Sequence, residues 1–163
     1  MTSTDTARKP GGRLPPRFVI RAFWLIHRGI HRFSGGRIGL RPASEKTWGM
    51  MRLRTIGRKS GVERSAILGY YEDGANLVTM AMNGWGEPEP AWWMNLQAHP
   101  DTTVELHDGT IAVRGRAATA EERPRLWEIW GRYDGPEALE AWSSRRPGET
   151  AVVILEPRQV DQI

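Results

Sequence analysis

The sequence predicts a mainly β fold with helices (α+β). About six short strands, joined as hairpins, curl into a small barrel or sheet with a few short helices beside it. Three observations carry this. Asp73-Gly74 and Asp108-Gly109 each stand between runs rich in aliphatic, β-branched or aromatic residues, and Asp-Gly is a preferred tight-hairpin dipeptide. A further pair of such runs flanks a glycine-bounded turn at 57–61. The stretch 150–155 is almost unbroken apolar, the profile of a strand buried on both faces.

In chain order, residues 1–16 are polar and carry Pro10, Gly11, Gly12, Pro15 and Pro16, which predicts a disordered lead-in. From Arg17 to Phe33 the pattern changes. Phe18, Ile20, Phe23, Trp24, Leu25, Ile26 and Ile30 make a broad apolar surface at helical spacing. Arg17, Arg21, Arg28, His31 and Arg32 supply the polar remainder, and no acidic residue interrupts it. A basic amphipathic helix is expected within 17–35, ended by the glycines of Ser34-Gly35-Gly36. Its ordinary use is packing on its own domain, and its other use is shallow association with an anionic membrane surface.

The barrel domain is placed at 45–163. Residues 50–56 alternate aliphatic and long side chains, as a strand does. Strands are also expected at 65–72 and 76–82. The loop 83–90 (N-G-W-G-E-P-E-P) is rich in breakers. Residues 91–99 read as a short helix stopped by Pro100. Two strands at 102–107 and 110–117 follow. Thr119 to Glu122 has the capping-box pattern and opens a helix, in which Pro124 is expected to lose one bond and make the first turn irregular. Gly135-Pro136 separates it from a helical piece at 137–144.

A chain of 163 residues suits one domain with one core. Its net charge of +4 favours acidic partners: phosphates, carboxylates, anionic lipid or nucleic acid. Zero cysteines exclude disulfides, thiolate metal sites, iron–sulfur clusters and cysteine nucleophiles. No N-terminal apolar run precedes a small-residue cleavage site, and no window of about 20 residues lacks charge. The expected location is therefore cytoplasmic. His27, His31, His99 and His107 are scattered, and the first two sit among cations with no carboxylate beside them, so no metal site is expected. The basic residues match no nucleic-acid module, so no nucleic-acid partner is expected. There is no G-x-S-x-G elbow, Walker loop or G-x-G-x-x-G fingerprint.

What remains is a binding apparatus. The stretch 57–69 reads G-R-K-S-G-V-E-R-S-A-I-L-G. Its Arg58, Lys59, Ser60, Arg64 and Ser65 offer fixed positive charge, hydroxyls and backbone N–H groups in one concave spot, which suits an anion. The plainer alternative is a solvated hairpin tip. The loop through Met80, Ala81, Met82, Asn83 and Trp85 leaves a buried strand through flexible glycines. Trp92 and Trp93 begin a helix whose free N–H groups also favour anions. Anion clamps and aromatic walls without acid–base machinery suit hydride transfer, in which an organic cofactor carries the reactivity.

Five motifs stand in order: L-R-T-I-G-R-K-S-G-x-x-R at 53–64, N-G-x-G at 83–86, P-A-W-W-x-N-L-x-A-H-P at 90–100, E-E-R-x-x-L-W at 121–127 and V-V-I-L-E-P at 152–157. Over 45–157 they resemble the deazaflavin-dependent nitroreductase family, small enzymes with a split β-barrel of FMN-binding type that use reduced coenzyme F420. The resemblance implies that Arg58, Lys59, Ser60 and Arg64, with Ser65 beside them, hold the coenzyme's phosphate and oligoglutamate tail. Ile67, Leu68, Met80, Ala81, Met82 and Asn83 would lie against the deazaflavin ring and its neighbours, and Trp92 would support the ring-side wall. Trp85 and Tyr133 would meet the substrate, and Tyr133 or water would donate the proton. The implied acceptors are quinones or other lipophilic molecules, with nitro compounds reduced adventitiously. The helix at 17–33 is similar to one that places some members on the inner face of the plasma membrane.

The chain also departs from the family pattern. Ile67 stands where members often have proline, Met82 to Trp85 alter the usual small-polar and double-glycine loop, and Pro136 and Leu139 replace expected tyrosines. These departures imply a different acceptor from nitroimidazoles. Two other readings stay open at this point. One is a non-catalytic protein that binds a deazaflavin or an amphiphile. The other is an FMN-dependent split-barrel oxidoreductase, because a cationic turn also holds a simple phosphate.

Overall fold

In the computed structural model the described residues are 39–84, 86 and 88–159. The predicted lead-in and basic helix lie outside them, as does Trp85. Alternation builds the first strand: along Gly49–Ile56 (β1), Met51, Leu53 and Thr55 are buried while Arg52 and Arg54 are half-buried. The chain continues through Glu63–Asp73 (β2), Asn76–Met80 (β3), Ala91–Ala98 (α1), Asp101–Glu105 (β4) and Thr110–Ala117 (β5). Arg123–Asp134 (α2), Pro136–Ser143 (α3) and Val152–Pro157 (β6) complete it.

All neighbouring strands are antiparallel, in the closed order β1-β2-β3-β6-β5-β4. Two residue pairs, Arg52↔Glu105 and Leu53↔Val104, close the barrel between β1 and β4. Closure is partial: β2 pairs with β3 only at Tyr71–Asp73, so its stretch 63–70 pairs with β1 alone among the named strands. Both Asp-Gly hairpins form as the sequence predicts, and Gly74 takes the positive φ of +63° that the β2–β3 turn needs.

Two apolar layers follow from strand alternation. Met51, Leu53, Tyr70, Leu77, Val104, Val113, Val153 and Leu155 fill the barrel, and α1 adds Trp93 and Leu96 to them. Tyr71, Val78, Met80, Val152 and Ile154 point outward and are covered by Leu126 and Trp130 of α2 and Leu139 of α3. Successive residues of β6 thus belong to different layers, which is why its sequence is continuously apolar. Gly115 of β5 lets α1 approach: a Cβ there would stand 2.4 Å from Leu96 Cδ2. Among the described residues no helix is long and apolar enough to cross a membrane.

Several boundaries differ from the sequence expectation. β3 stops at Met80 rather than 82, because the Ala81 carbonyl leaves the ladder for the Arg146 side chain. β4 ends at Glu105, and Leu106 already belongs to the turn, donating to the Gly109 carbonyl at 2.7 Å. The capping box is realised: the Glu122 N–H donates to Thr119 Oγ1 at 3.2 Å and the Thr119 N–H to Glu122 Oε2 at 2.8 Å. The helix nevertheless begins only at Arg123. Pro124 therefore falls in the first helical turn, where its missing N–H costs no helical bond. The expected irregular turn is the separate turn ahead of the helix.

Candidate functional site

Between β1 and β2 the chain reverses over six residues, and internal bonds set its shape. The Gly57 N–H donates to the Val62 carbonyl at 2.9 Å, and the Gly57 carbonyl accepts from Ser60 at 3.2 Å and from Gly61 at 2.7 Å. Gly61 has φ +66°, a conformation strained for any residue with a Cβ. A Cβ on Gly57 would stand 2.6 Å from Ser60 Oγ and 3.2 Å from the Val62 carbonyl oxygen, so a side chain there would displace Ser60.

The turn is also held from outside. Asn95 of α1 is 6% exposed, and its Oδ1 accepts the Arg58 N–H at 3.0 Å while its Nδ2 donates to Thr55 Oγ1 at 3.3 Å. The sequence reading did not single out Asn95. An amide in the otherwise apolar run A-W-W-M-N-L is the signal that could have found it, because a buried amide needs partners.

Electrostatics mark the same place. Among the described residues the exposed Arg58, Lys59 and Arg64 have no carboxylate partner. By contrast Arg52, Arg54, Arg114, Arg116, Arg123, Arg125, Arg132 and Arg158 each pair with one. Arg54, opposite Ser65 in the β1–β2 ladder, is satisfied by Glu63 and Glu105. Among the described residues Arg41, Lys46, Arg145 and Arg146 also lack a carboxylate partner, but at this turn three such cations stand close together on a fixed backbone, which suits an anionic ligand.

The remaining sequence-predicted residues divide by strand parity. Ser65 and Ile67 share the outward face of β2 with Tyr71, while Leu68 points the other way and packs on the barrel interior. Met80 and Met82 belong to the outer layer, Ala81 to the inner one. Asn83 is exposed, and its Nδ2 donates to the Pro88 carbonyl at 3.0 Å. Its own carbonyl accepts from Gly86 at 3.1 Å, with Gly84 at φ +57° between them. Trp92 is half-buried beside Trp93, ring centroids 6.2 Å apart, and packs against the interior cluster.

Tyr133 sits on α2 within an aromatic group, its ring 5.9 Å from Trp48 and 6.1 Å from Tyr71. Its hydroxyl donates to the Ser44 carbonyl at 3.2 Å, and burial holds its pKa above the ordinary value. The structure therefore collects Arg58, Lys59, Ser60, Arg64 and Ser65 at the turn, and Met80, Met82 and Tyr133 in the outer layer. Leu68, Ala81 and Trp92 line the inner one. A separate cleft of about 550 Å³ opens between α2, α3 and the segment before β6, lined by Arg123, Trp127, Glu140, Ser143 and Thr150 among others. None of the sequence-predicted residues lines it.

The chain is similar to several known proteins. A family model described as F420H(2)-dependent quinone reductase matches residues 25–156. The F420H(2)-dependent quinone reductase Rv1261c of Mycobacterium tuberculosis is 28% identical over 136 residues, 82% of this chain and 89% of that protein. Rv3178 of the same organism is 34% identical over 103 residues, 62% of this chain and 83% of the relative. Among solved structures, an F420-H2 dependent reductase (FDR-A) superposes with TM-score 0.58 at 25% identity, covering 66% of this chain and 93% of its own. HutZ, the heme storage protein of Vibrio cholerae, superposes with TM-score 0.50 at 10% identity over 68% of this chain and 82% of its own, a likeness of fold alone.

Proposed function

The chain belongs to the F420H(2)-dependent quinone reductase family, and from that premise we propose which of its residues perform the reaction. It is an oxidoreductase that uses F420H2 rather than FMN, and it transfers a hydride to a lipophilic acceptor such as a quinone. The assignment to an enzyme family sets aside the non-catalytic alternative. The observation that carries the residue assignment is the set of three unpaired cations, Arg58, Lys59 and Arg64, on a turn anchored by buried Asn95.

The residues fit the coenzyme's anionic tail. Arg58, Lys59 and Arg64 supply charge to it, Ser60 and Ser65 supply hydroxyls, and Asn95 keeps the Arg58 backbone in place. Ile67 and Met82 offer apolar surface that excludes water, with Met80 buried under the helices and Leu68, Ala81, Asn83 and Trp92 behind or beside it. When bound, the reduced deazaflavin supplies the hydride. Reduction of a quinone by a hydride also needs a proton. Tyr133 is the group proposed to hold it at Oη; a phenol is protonated at neutral pH, and burial moves its pKa further up. Trp85 is proposed to contact the acceptor from the loop at 83–86.

Mixing the protein with reduced coenzyme and a soluble quinone, and following deazaflavin absorbance, tests the reading. Coenzyme binding with quinone-dependent oxidation is expected, and neither binding nor turnover would overturn it. Reduction of nitro compounds is proposed as an adventitious extension of the same hydride transfer. A cytoplasmic position, peripheral at the inner face of the plasma membrane, is proposed from the basic apolar pattern of 17–33. Flotation of the full chain with anionic vesicles tests this, and failure to float discards it.

A further inference from the structure

At the root of the proposed ring-side loop, one backbone carbonyl has left the sheet. β3 and β6 pair as far as Met80↔Val152, and the Ala81 N–H still donates across to the Ala151 carbonyl at 2.9 Å. The Ala81 carbonyl has no strand partner. Arg146, 65 residues further along the chain, takes it instead, donating from Nη1 at 2.7 Å. The same Nη1 stands 3.5 Å from Oγ1 of Thr150, a residue only 2% exposed. Arg146 itself is placed by the turn that leaves α3, its N–H donating to the Ser143 carbonyl at 3.0 Å. Among the described residues it has no carboxylate partner, so the carbonyl is the main acceptor for its charge.

Three physical consequences meet here. Ala81 is 1% exposed, so its carbonyl would be left buried and unsatisfied without the guanidinium. A hydrogen bond from an ionised donor is stronger than an ordinary ladder bond. Beyond Ala81 the chain passes through Met82 and Asn83 to Gly84 and Gly86, where backbone freedom is greatest. The bonds of Asn83 to Pro88 and Gly86 run within the loop itself, so the Ala81 peptide is where Arg146 ties the loop's start to a distant part of the chain.

We propose that Arg146 is a positioning residue for the coenzyme site: by holding the Ala81 carbonyl it fixes the backbone of 81–83 against which the deazaflavin ring is bound. This rests on the assignment of Met80 to Asn83 to the coenzyme. Arg146 does not itself need to touch the coenzyme, and its action is carried by the peptide it holds.

The test compares Arg146→Met with Arg146→Lys in the full chain. Amide hydrogen exchange over 81–84 is expected to rise about tenfold or more in the Met variant, to stay close to wild type in the Lys variant, and to leave β1 and β2 unchanged. The Kd for reduced coenzyme is expected to rise about tenfold with Met and to be largely restored with Lys. Unchanged exchange over 81–84 overturns the proposal. An equal rise in exchange throughout the barrel also overturns it, because that is the signature of general destabilisation. If the Met variant does not fold, Arg146→Gln, a neutral donor on a shorter arm, is read against the same two outcomes. The exchange measurement needs no coenzyme. Wild-type protein that fails to bind coenzyme would therefore refute the functional assignment while the role of Arg146 at the loop is still decided.

Discussion

The Oδ1 atom of Asn95 accepts the backbone N–H of Arg58 at 3.0 Å, across 37 positions of sequence. This bond fastens a helix to the turn that carries Arg58, Lys59 and Arg64, three cations without a carboxylate partner among the described residues. Asn95→Ala leaves the Arg58 N–H and Thr55 Oγ1 without their partner. The expected result is a loss of about 1–3 kcal/mol in stability by urea unfolding, together with weaker coenzyme binding by fluorescence titration. Loss of stability with binding untouched would separate the turn from the site.

Lys59→Ala and Arg64→Ala should behave differently. Both side chains are exposed and make no ion pair among the described residues. Each change is expected to weaken coenzyme binding by about 1–3 kcal/mol and to leave the Tm nearly unchanged. Wild-type affinity should also fall as salt is raised, because the attraction is screened.

Tyr133→Phe removes one oxygen and keeps the ring among Trp48 and Tyr71. If the hydroxyl supplies the proton, kcat for quinone reduction falls by about 10²-fold or more while the Kd for coenzyme stays constant. An unchanged kcat assigns the proton to water.

Gly115→Ala tests how closely α1 approaches the barrel. The new methyl would meet Leu96 Cδ2 at 2.4 Å and Cγ at 2.7 Å, and Leu96 is fully buried with no room to yield. A destabilisation of about 1–3 kcal/mol is expected in urea unfolding. Combining it with Leu96→Val should cost less than the sum of the two single changes, because the contact is shared.

Acid titration should report the Arg116–Glu122 pair. Two guanidinium bonds of 2.7 and 2.9 Å, aided by the Thr119 N–H, hold the Glu122 carboxyl down to about 2 from an ordinary 4.5. The unfolded chain therefore takes up this proton first as pH falls. Stability from the pair is present above pH 4.5 and is lost on the way down to about 2. Scanning calorimetry across that window should show a falling Tm for the wild type and a shallower fall for Glu122→Gln. Asp73, lowered by Arg125, supplies part of the remaining slope.

The barrel was legible because its signals are local. Asp-Gly turns, the alternation of 50–56 and the continuous apolar run before Pro157 each act within a few residues. The cationic turn was legible for the same reason, since its glycines and charges are contiguous. Asn95 and Arg146 were not, because their partners lie 37 and 65 positions away; the amide in an apolar run hints that Asn95 needs a partner without saying which, and nothing nearby distinguishes Arg146. The start of α2 was misplaced by three residues, Ala120 expected and Arg123 found. The capping box there forms, but in a turn of its own, and composition cannot distinguish a cap that opens a helix from one that precedes it. Leu68 was grouped with Ile67 by adjacency, although strand parity sends them to opposite sides.

The last strand offers a different kind of consequence. Val153 and Leu155 lie inside the barrel, while Val152 and Ile154 lie under the helices. Neither compartment can open without disturbing the same six residues. Barrel and helical cover are thus expected to melt as one cooperative unit, with the amides of Val152–Pro157 among the slowest to exchange.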